Sequence, residues 1–145
     1  MAKHEALGAF VGDWWAEGTS YGGDGQSPDT PHAGASPWRS THRAEWYSGG
    51  FFVVQDERAN GPFHTLSLLG WDRDDGRYFA RTIENHGFCR DYTVTRDGAR
   101  WIFSGPEERA VHAFSDDGRT QTIRWERRVG GAWLPLCDRV ARRVE

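Results

Sequence analysis

Several things are scarce in this chain of 145 residues, and each scarcity removes a class of protein. Only two cysteines are present, Cys89 and Cys137, and a single methionine. Neither cysteine lies in a CxxC, so a disulfide-rich scaffold and a thiolate metal knuckle are both excluded. With no export signal in view, the two thiols are expected to stay reduced. No apolar run is long enough to span a bilayer or to serve as a signal peptide, the opening MAKHEALGAFVGDWW included. No membrane association is expected, and the expected location is the cytoplasm.

Charge of one sign is equally scarce. Eighteen Lys and Arg face 21 Asp and Glu, for a formal net charge of -3, and the two signs are mixed along the chain. No basic stripe follows a phosphate backbone, which sets nucleic acid aside as a partner. The pair Arg142-Arg143 is too short for a tail and reads as the end of a strand. No Gly-x-Ser-x-Gly, P-loop or dinucleotide fingerprint occurs. The six histidines lack zinc-site spacing such as HExxH, so no metal is expected.

Large rings are plentiful: Trp 8, Phe 8 and Tyr 4, in a chain whose mean hydropathy is only -0.75. Rings favour strands and supply much contact area per residue. The length fits one domain, residues 1–145, with one sizeable core.

Helical periodicity is missing beyond a single short turn in 4–12. Instead, runs of β-formers alternate with turn signals: Ser48-Gly49-Gly50, Asn60-Gly61-Pro62, Asp74-Asp75-Gly76, Arg96-Asp97-Gly98, Asp116-Asp117-Gly118 and Gly130-Gly131. Each suits a tight antiparallel connection. Strands are predicted near 13–21, 38–47, 51–58, 63–72, 77–84, 88–95, 99–104, 109–115, 119–128 and 132–142. Ten hairpin-linked strands form an up-and-down meander that loses its edges by closing. The predicted fold is all-β: a single closed antiparallel barrel of about ten strands. One stretch breaks the rhythm, the Gly- and Pro-rich residues 22–36, which read either as a lid over the barrel mouth or as an inert flexible loop.

Turn geometry sets register, and register sets which residues share a face. With Asn60-Gly61 at a turn centre, Glu57 lies opposite His64. Through the next turn, Leu68 faces Arg81 and Leu66 faces Ile83. One face then carries Phe51, Val53, Gln55, Glu57, His64, Leu66, Leu68, Phe79, Arg81 and Ile83. Being the more apolar, it is expected inside. In the last hairpin Ile123, Trp125, Leu134 and Leu136 share the inner face, and Arg124, Glu126 and Arg128 the wet one. An interior holding Gln55, His64 and Arg81 must satisfy those groups internally, hold water or meet a ligand. An arginine fork suits an anionic head group. The competing reading pairs Arg81 with Glu57 or Glu84 and leaves His64 at the surface.

Phe10-Val11-Gly12-Asp13-Trp14 resembles the Gly-x-Trp motif that opens lipocalin-like (calycin) barrels. The block from Gly50 to Arg81, "GFFVVQDE" and "GPFHTLSLLGWDRDDGRYF", resembles an uncharacterised bacterial family of that superfamily. The resemblance implies a barrel with a central pocket and brings no established activity. It also implies a structural role for Trp14, closing the barrel floor against an arginine of the final strand, with Arg139 and Arg142 as candidates. A more distant similarity is to nitrobindin-type haem barrels, through "GDWWAEG" and Pro62-Phe63-His64. Their ligating histidine is expected on the last strand, where this chain has "LPLCDRVARRV" and no histidine. His64, His86 and His112 are then the conceivable axial ligands.

The expected function is binding of a small apolar or amphipathic molecule, with an anionic one allowed. Phe51, Val53, Leu66, Leu68, Phe79, Trp101 and Trp125 would form the apolar walls, and Gln55, His64 and Arg81 would orient a polar end. No cofactor is assigned, with haem as an alternative. A small-molecule isomerase, lyase or cyclase using His64 is a further alternative. Trp15, Trp46 and Trp71, if exposed together, would make a homodimer patch.

Overall fold

The computed structural model describes residues 2–144. A 3-10 helix, Lys3–Phe10, leads into ten strands. These are β1 (Gly12–Ser20), β2 (Ser36–Trp46), β3 (Phe52–Ala59), β4 (Phe63–Asp72) and β5 (Arg77–Glu84), then β6 (Cys89–Asp97), β7 (Arg100–Ser104), β8 (Glu108–Phe114), β9 (Thr120–Val129) and β10 (Ala132–Arg143). Every strand pairs antiparallel with its chain neighbour. β1 and β10 then close the sheet, from Trp14 opposite Arg143 to Ser20 opposite Cys137. The ten predicted strands all form, with ends displaced by a few residues. Glycines at the turns make this possible: Gly76 and Gly98, for example, adopt φ of 66° and 60°, which a side chain would oppose. Among the described residues no helix is long and apolar enough to cross a membrane.

One end of the barrel is plugged. The 3-10 helix buries Ala6, Leu7 and Phe10, and the Phe10 ring meets those of Trp101, Phe103 and Phe114. Buried Trp14 donates from Nε1 to the Phe10 carbonyl at 3.0 Å. The arginine on its ring is Arg143, with the guanidinium carbon 4.2 Å from the ring centroid. Arg143 also donates to the Val11 and Ala9 carbonyls, tying the strand to the plug. Neither Arg139 nor Arg142 occupies this place. Register explains why: Trp14 pairs with Arg143, while Arg142 pairs with Trp15 on the outer face. Arg139 faces inward but is directed at Glu57 of β3 instead.

The β3–β4 turn changes half of the predicted interior. It uses three residues, Asn60-Gly61-Pro62, and pairs Ala59 with Phe63, Glu57 with Thr65 and Arg58 with His64. Asn60 is held by β2: its backbone N–H donates to the Arg39 carbonyl, and its side chain bonds Arg39 N–H and the Pro37 carbonyl. The loop therefore lengthens by one residue, and β4 turns over. The next hairpin pairs as expected, Leu66 with Ile83 and Leu68 with Arg81, so β5 turns over with it. Val53, Gln55 and Glu57 point inward as predicted. His64, Leu66, Leu68, Phe79, Arg81 and Ile83 point outward. Thr65, Ser67, Leu69, Tyr78, Ala80 and Thr82 take the interior.

In the last hairpin Ile123, Trp125 and Leu134 face in, and Arg124 and Arg128 are exposed. A register shift between Pro135 and Cys137 brings both Leu136 and Cys137 to the lumen. Gly18 lies opposite Arg139, where any Cβ would overlap the Asp138 carbonyl. The Gly- and Pro-rich loop is tethered rather than free. Buried Gln26 donates to the Pro31 and Pro135 carbonyls, and its Oε1 accepts from Arg127 Nε and Nη2 at 2.9 and 2.6 Å. Cys89 is exposed and Cys137 buried, and they are not bonded to each other.

Candidate functional site

Between the plug and the opposite end lies a cavity of about 660 Å³. That is the size of a small-molecule site. Its aromatic wall is Tyr92, Phe103 and Trp125, with Phe10 at the plug. The facing wall, from β3 to β5, is smaller and more polar: Gln55, Thr65, Ser67 and Thr82. Ser67 and Thr82 satisfy each other across the strands at 2.8 Å. Phe63, Phe88, His86 and Arg90 line it nearer the strand ends.

A buried charged cluster forms a third side. Glu57, on the inner face of β3, accepts at Oε1 from Arg139 Nη2 at 3.0 Å and at Oε2 from Ser40 at 3.0 Å. Ser40 in turn accepts from Trp38 Nε1 at 2.9 Å, and the Arg139 guanidinium lies over the Trp38 ring. His42 Nδ1 stands 3.6 Å from Glu57 Oε2, long for a hydrogen bond, and its ring stacks on Trp14. The alternation of β2 builds this side: Trp38, Ser40, His42 and Ala44 face in, while Arg39, Thr41, Arg43 and Glu45 face out.

Burial alone would raise the Glu57 carboxyl, but the Arg139 charge, His42 and Ser40 outweigh it and hold it down to about 2. His112, on β8, sits among the rings of Phe10, Phe103 and Trp125. Burial pushes its imidazole down to about 3, against the opposing pull of Gln121. Its Nδ1 is 3.3 Å from Gln121 Oε1, an acceptor, so Nδ1 carries the proton and Nε2 the lone pair. At neutral pH the Glu57 carboxyl is therefore ionised beside Arg139, and the His112 imidazole is neutral. Among the described residues, six buried side-chain nitrogens have no hydrogen-bond partner: both of His42, Gln121 Nε2, Arg90 Nε, His112 Nε2 and Arg139 Nε. Of these residues, Arg90, His112 and Arg139 line the cavity. Orphaned polar atoms of this kind are costly unless something meets them.

Of the residues predicted to bind a ligand, Gln55 and Trp125 line the cavity. Val53 is fully buried beneath the plug, and Trp101 is core, its ring against Phe10 and Tyr78. The rest lie elsewhere. Phe51 is 47% exposed ahead of β3, and Leu66 is 41% exposed on the outer wall. Leu68 and Phe79 share that outer wall. His64 bonds Asp56 outside the barrel at 2.9 Å. Arg81 is exposed and bonded to Asp91 at 2.6 Å. Arg81→Ala should therefore leave uptake of any small molecule, charged or neutral, unchanged; selective loss of an acidic one would contradict this placement.

Sequence reasoning did not single out Ser40, His42 or Cys137 as site residues, named His112 only as a conceivable haem ligand, and gave Arg139 a different task. The signal for β2 was present in the strict alternation of WRSTHRAEW, with its charges on one parity. Arg139 and Glu57 are 82 residues apart, and nothing local joins them. Trp15 and Trp46 are partly exposed, but Trp71 packs toward the plug against Tyr78, so the three form no common patch. Among the described residues no three His, Cys, Asp or Glu side chains are grouped to hold a metal ion.

No family model and no curated protein matches this chain. A solved structure, that of Rv2717c from M. tuberculosis, is similar in fold, with a TM-score of 0.71 at 13% identity. The match covers 100% of this chain and 99% of that one, so the likeness takes in the whole barrel, and at this identity it shows the fold alone.

Proposed function

We propose that the barrel binds a small amphipathic molecule in its lumen, as lipocalin-like barrels do. The observation that carries this reading is the cavity of about 660 Å³ bordered by buried polar atoms without partners on Arg139 and His112. The aromatic wall supplies affinity by burial, at about 25 cal/mol per Å² of apolar surface. The Glu57–Arg139 pair and His112 receive the polar end. With Glu57 held at about 2 and His112 at about 3, neither is poised to exchange protons near neutrality, which favours holding over turnover. The catalytic alternative is less supported in the form that uses His64, because His64 lies on the outer wall.

Nile red, a neutral apolar dye, tests this. One molecule per chain should be taken up with a blue-shifted emission. Ser67→Trp and Thr65→Phe, which fill the lumen, should each weaken uptake by about tenfold or more, as loss of a ligand-sized void implies. Equal uptake by both variants would place the dye outside the barrel and remove the proposal.

A second reading is haem. It is favoured by His112 Nε2, an unprotonated imidazole nitrogen buried at the cavity without a partner, the donor that an axial ligand requires. His64 is outside and His86 is bonded to Glu84, so His112 alone of the three expected candidates suits this role. Added hemin should give a Soret band that His112→Phe abolishes. Absence of any band would remove this reading and leave the first intact.

A further inference from the structure

Among the described residues, three buried side-chain nitrogens without partners belong to residues that line this cavity: Arg90 Nε, Arg139 Nε and His112 Nε2. The last two are of opposite type. Arg139 Nε is a donor, and His112 Nε2, its partner nitrogen protonated toward Gln121 Oε1, is an acceptor. Both side chains are more than nine-tenths buried, at 8% and 5% exposure, and both line the same cavity. The Arg139 charge is already met, since Arg139 bonds Glu57 at 3.0 Å. The other charge that borders the cavity from β9, Arg127, is engaged by Gln26.

Resting on the binding function proposed above, the geometry points to a specific ligand class: uncharged molecules whose polar end carries a carbonyl beside an N–H or O–H, such as a primary carboxamide, on an apolar chain. The carbonyl oxygen accepts from Arg139 Nε, and the neighbouring N–H donates to His112 Nε2. The chain then runs along Tyr92, Phe103 and Trp125 toward the rings of Phe88 and Phe63.

The argument for a neutral head group is electrostatic. A carboxylate would satisfy Arg139 but would bring a second buried negative charge beside Glu57, to which that guanidinium is already bonded. It would also offer no hydrogen to His112, leaving two lone pairs face to face. A ketone would satisfy Arg139 alone and leave His112 Nε2 orphaned. Sites built to bond a donor discriminate strongly against analogues that lack it, because the site's own polar group is then left unpaired. An expectation of an anionic ligand rested on Arg81, which lies outside.

Octanamide, octanoate and 2-nonanone form a matched series, differing only in the group on the carbonyl: NH2, O⁻ or CH3. Displacement of Nile red at neutral pH ranks them. Octanamide should displace the dye at concentrations about tenfold or more below either of the others. In His112→Phe, which keeps a ring among Phe10, Phe103 and Trp125, the advantage over 2-nonanone should fall to within about twofold, while the advantage over octanoate persists. Should that variant fail to fold, the nitrogen NMR signal of His112 Nε2 in the unaltered protein gives the same answer, moving upfield when octanamide binds. Octanoate displacing as well as octanamide, no displacement by any of the three, or a preference over 2-nonanone that is unchanged in His112→Phe would overturn the assignment. Those outcomes leave the lumen as a binding site. Failure of Nile red to enter at all would instead remove the binding function itself.

Discussion

Arg139→Ala should destabilise the barrel by about 3 kcal/mol, the lower end of what breaking a buried ion pair costs, since the pair borders a cavity that admits water. The substitution leaves the Glu57 carboxylate, 5% exposed, with only Ser40 and His42 beside it. The guanidinium also covers the Trp38 ring, and that contact goes too. Replacing both partners by apolar residues of similar size, Arg139→Met with Glu57→Leu, should recover most of the loss, because no unpaired charge is then left behind. Urea denaturation measures both variants. A loss below about 1 kcal/mol in Arg139→Ala would mean that the pair is solvated and the cluster is not a buried one.

Acid should unfold the protein in two stages, and the direction follows from the shifts. His112 ordinarily titrates at 6.5 and is held down to about 3 in the barrel. Below 6.5 the unfolded chain takes up a proton that the folded one refuses, so stability falls from there toward 3. Above 6.5 both states are neutral at this group and it contributes nothing. Glu57 is lowered from 4.5 to about 2, so its contribution is present above 4.5 and is lost as pH falls through 2. Each group adds a slope of up to about 1.4 kcal/mol per pH unit within its window. The first stage, between pH 6.5 and 4.5, belongs to His112 and should largely vanish in His112→Phe. The second should remain in that variant. Melting temperatures that stay level from pH 7 down to 5 in the unaltered protein would contradict the burial of a neutral imidazole.

The barrel was legible because its signals are local. Each turn carries its own glycine or asparagine, each strand its own rings, and ten such units in series leave closure as the way to lose both edges. The inward face of β4 and β5 was not legible, for two physical reasons. One residue at Asn60-Gly61-Pro62 decides it, and that residue is held by Arg39 and Pro37 of β2, a contact absent from the hairpin itself. The second reason is that these strands invert the usual pattern. Their lumen residues are Thr65, Ser67 and Thr82, and their outer ones include Leu66, Leu68 and Ile83, the last 50% exposed. Polar lumen residues that bond one another, as Ser67 and Thr82 do, leave the outer face free to be the greasier one. The same logic hid the charged cluster. Glu57 was placed inside, but its partner comes from the last strand, and only barrel closure brings β10 round to face β3. Trp14 shows the converse: the tryptophan was identifiable from its motif, while its arginine depended on a pairing fixed at the seam between β1 and β10.

The most direct test of an occupied lumen is to ask which wall a bound molecule touches. In isotope-edited NMR of the protein with octanamide, the alkyl protons should give cross-relaxation to the rings of Tyr92, Phe103 and Trp125. Cross-relaxation confined to the methyl groups of Leu66, Leu68 and Ile83 would put the molecule on the outer wall and contradict the account.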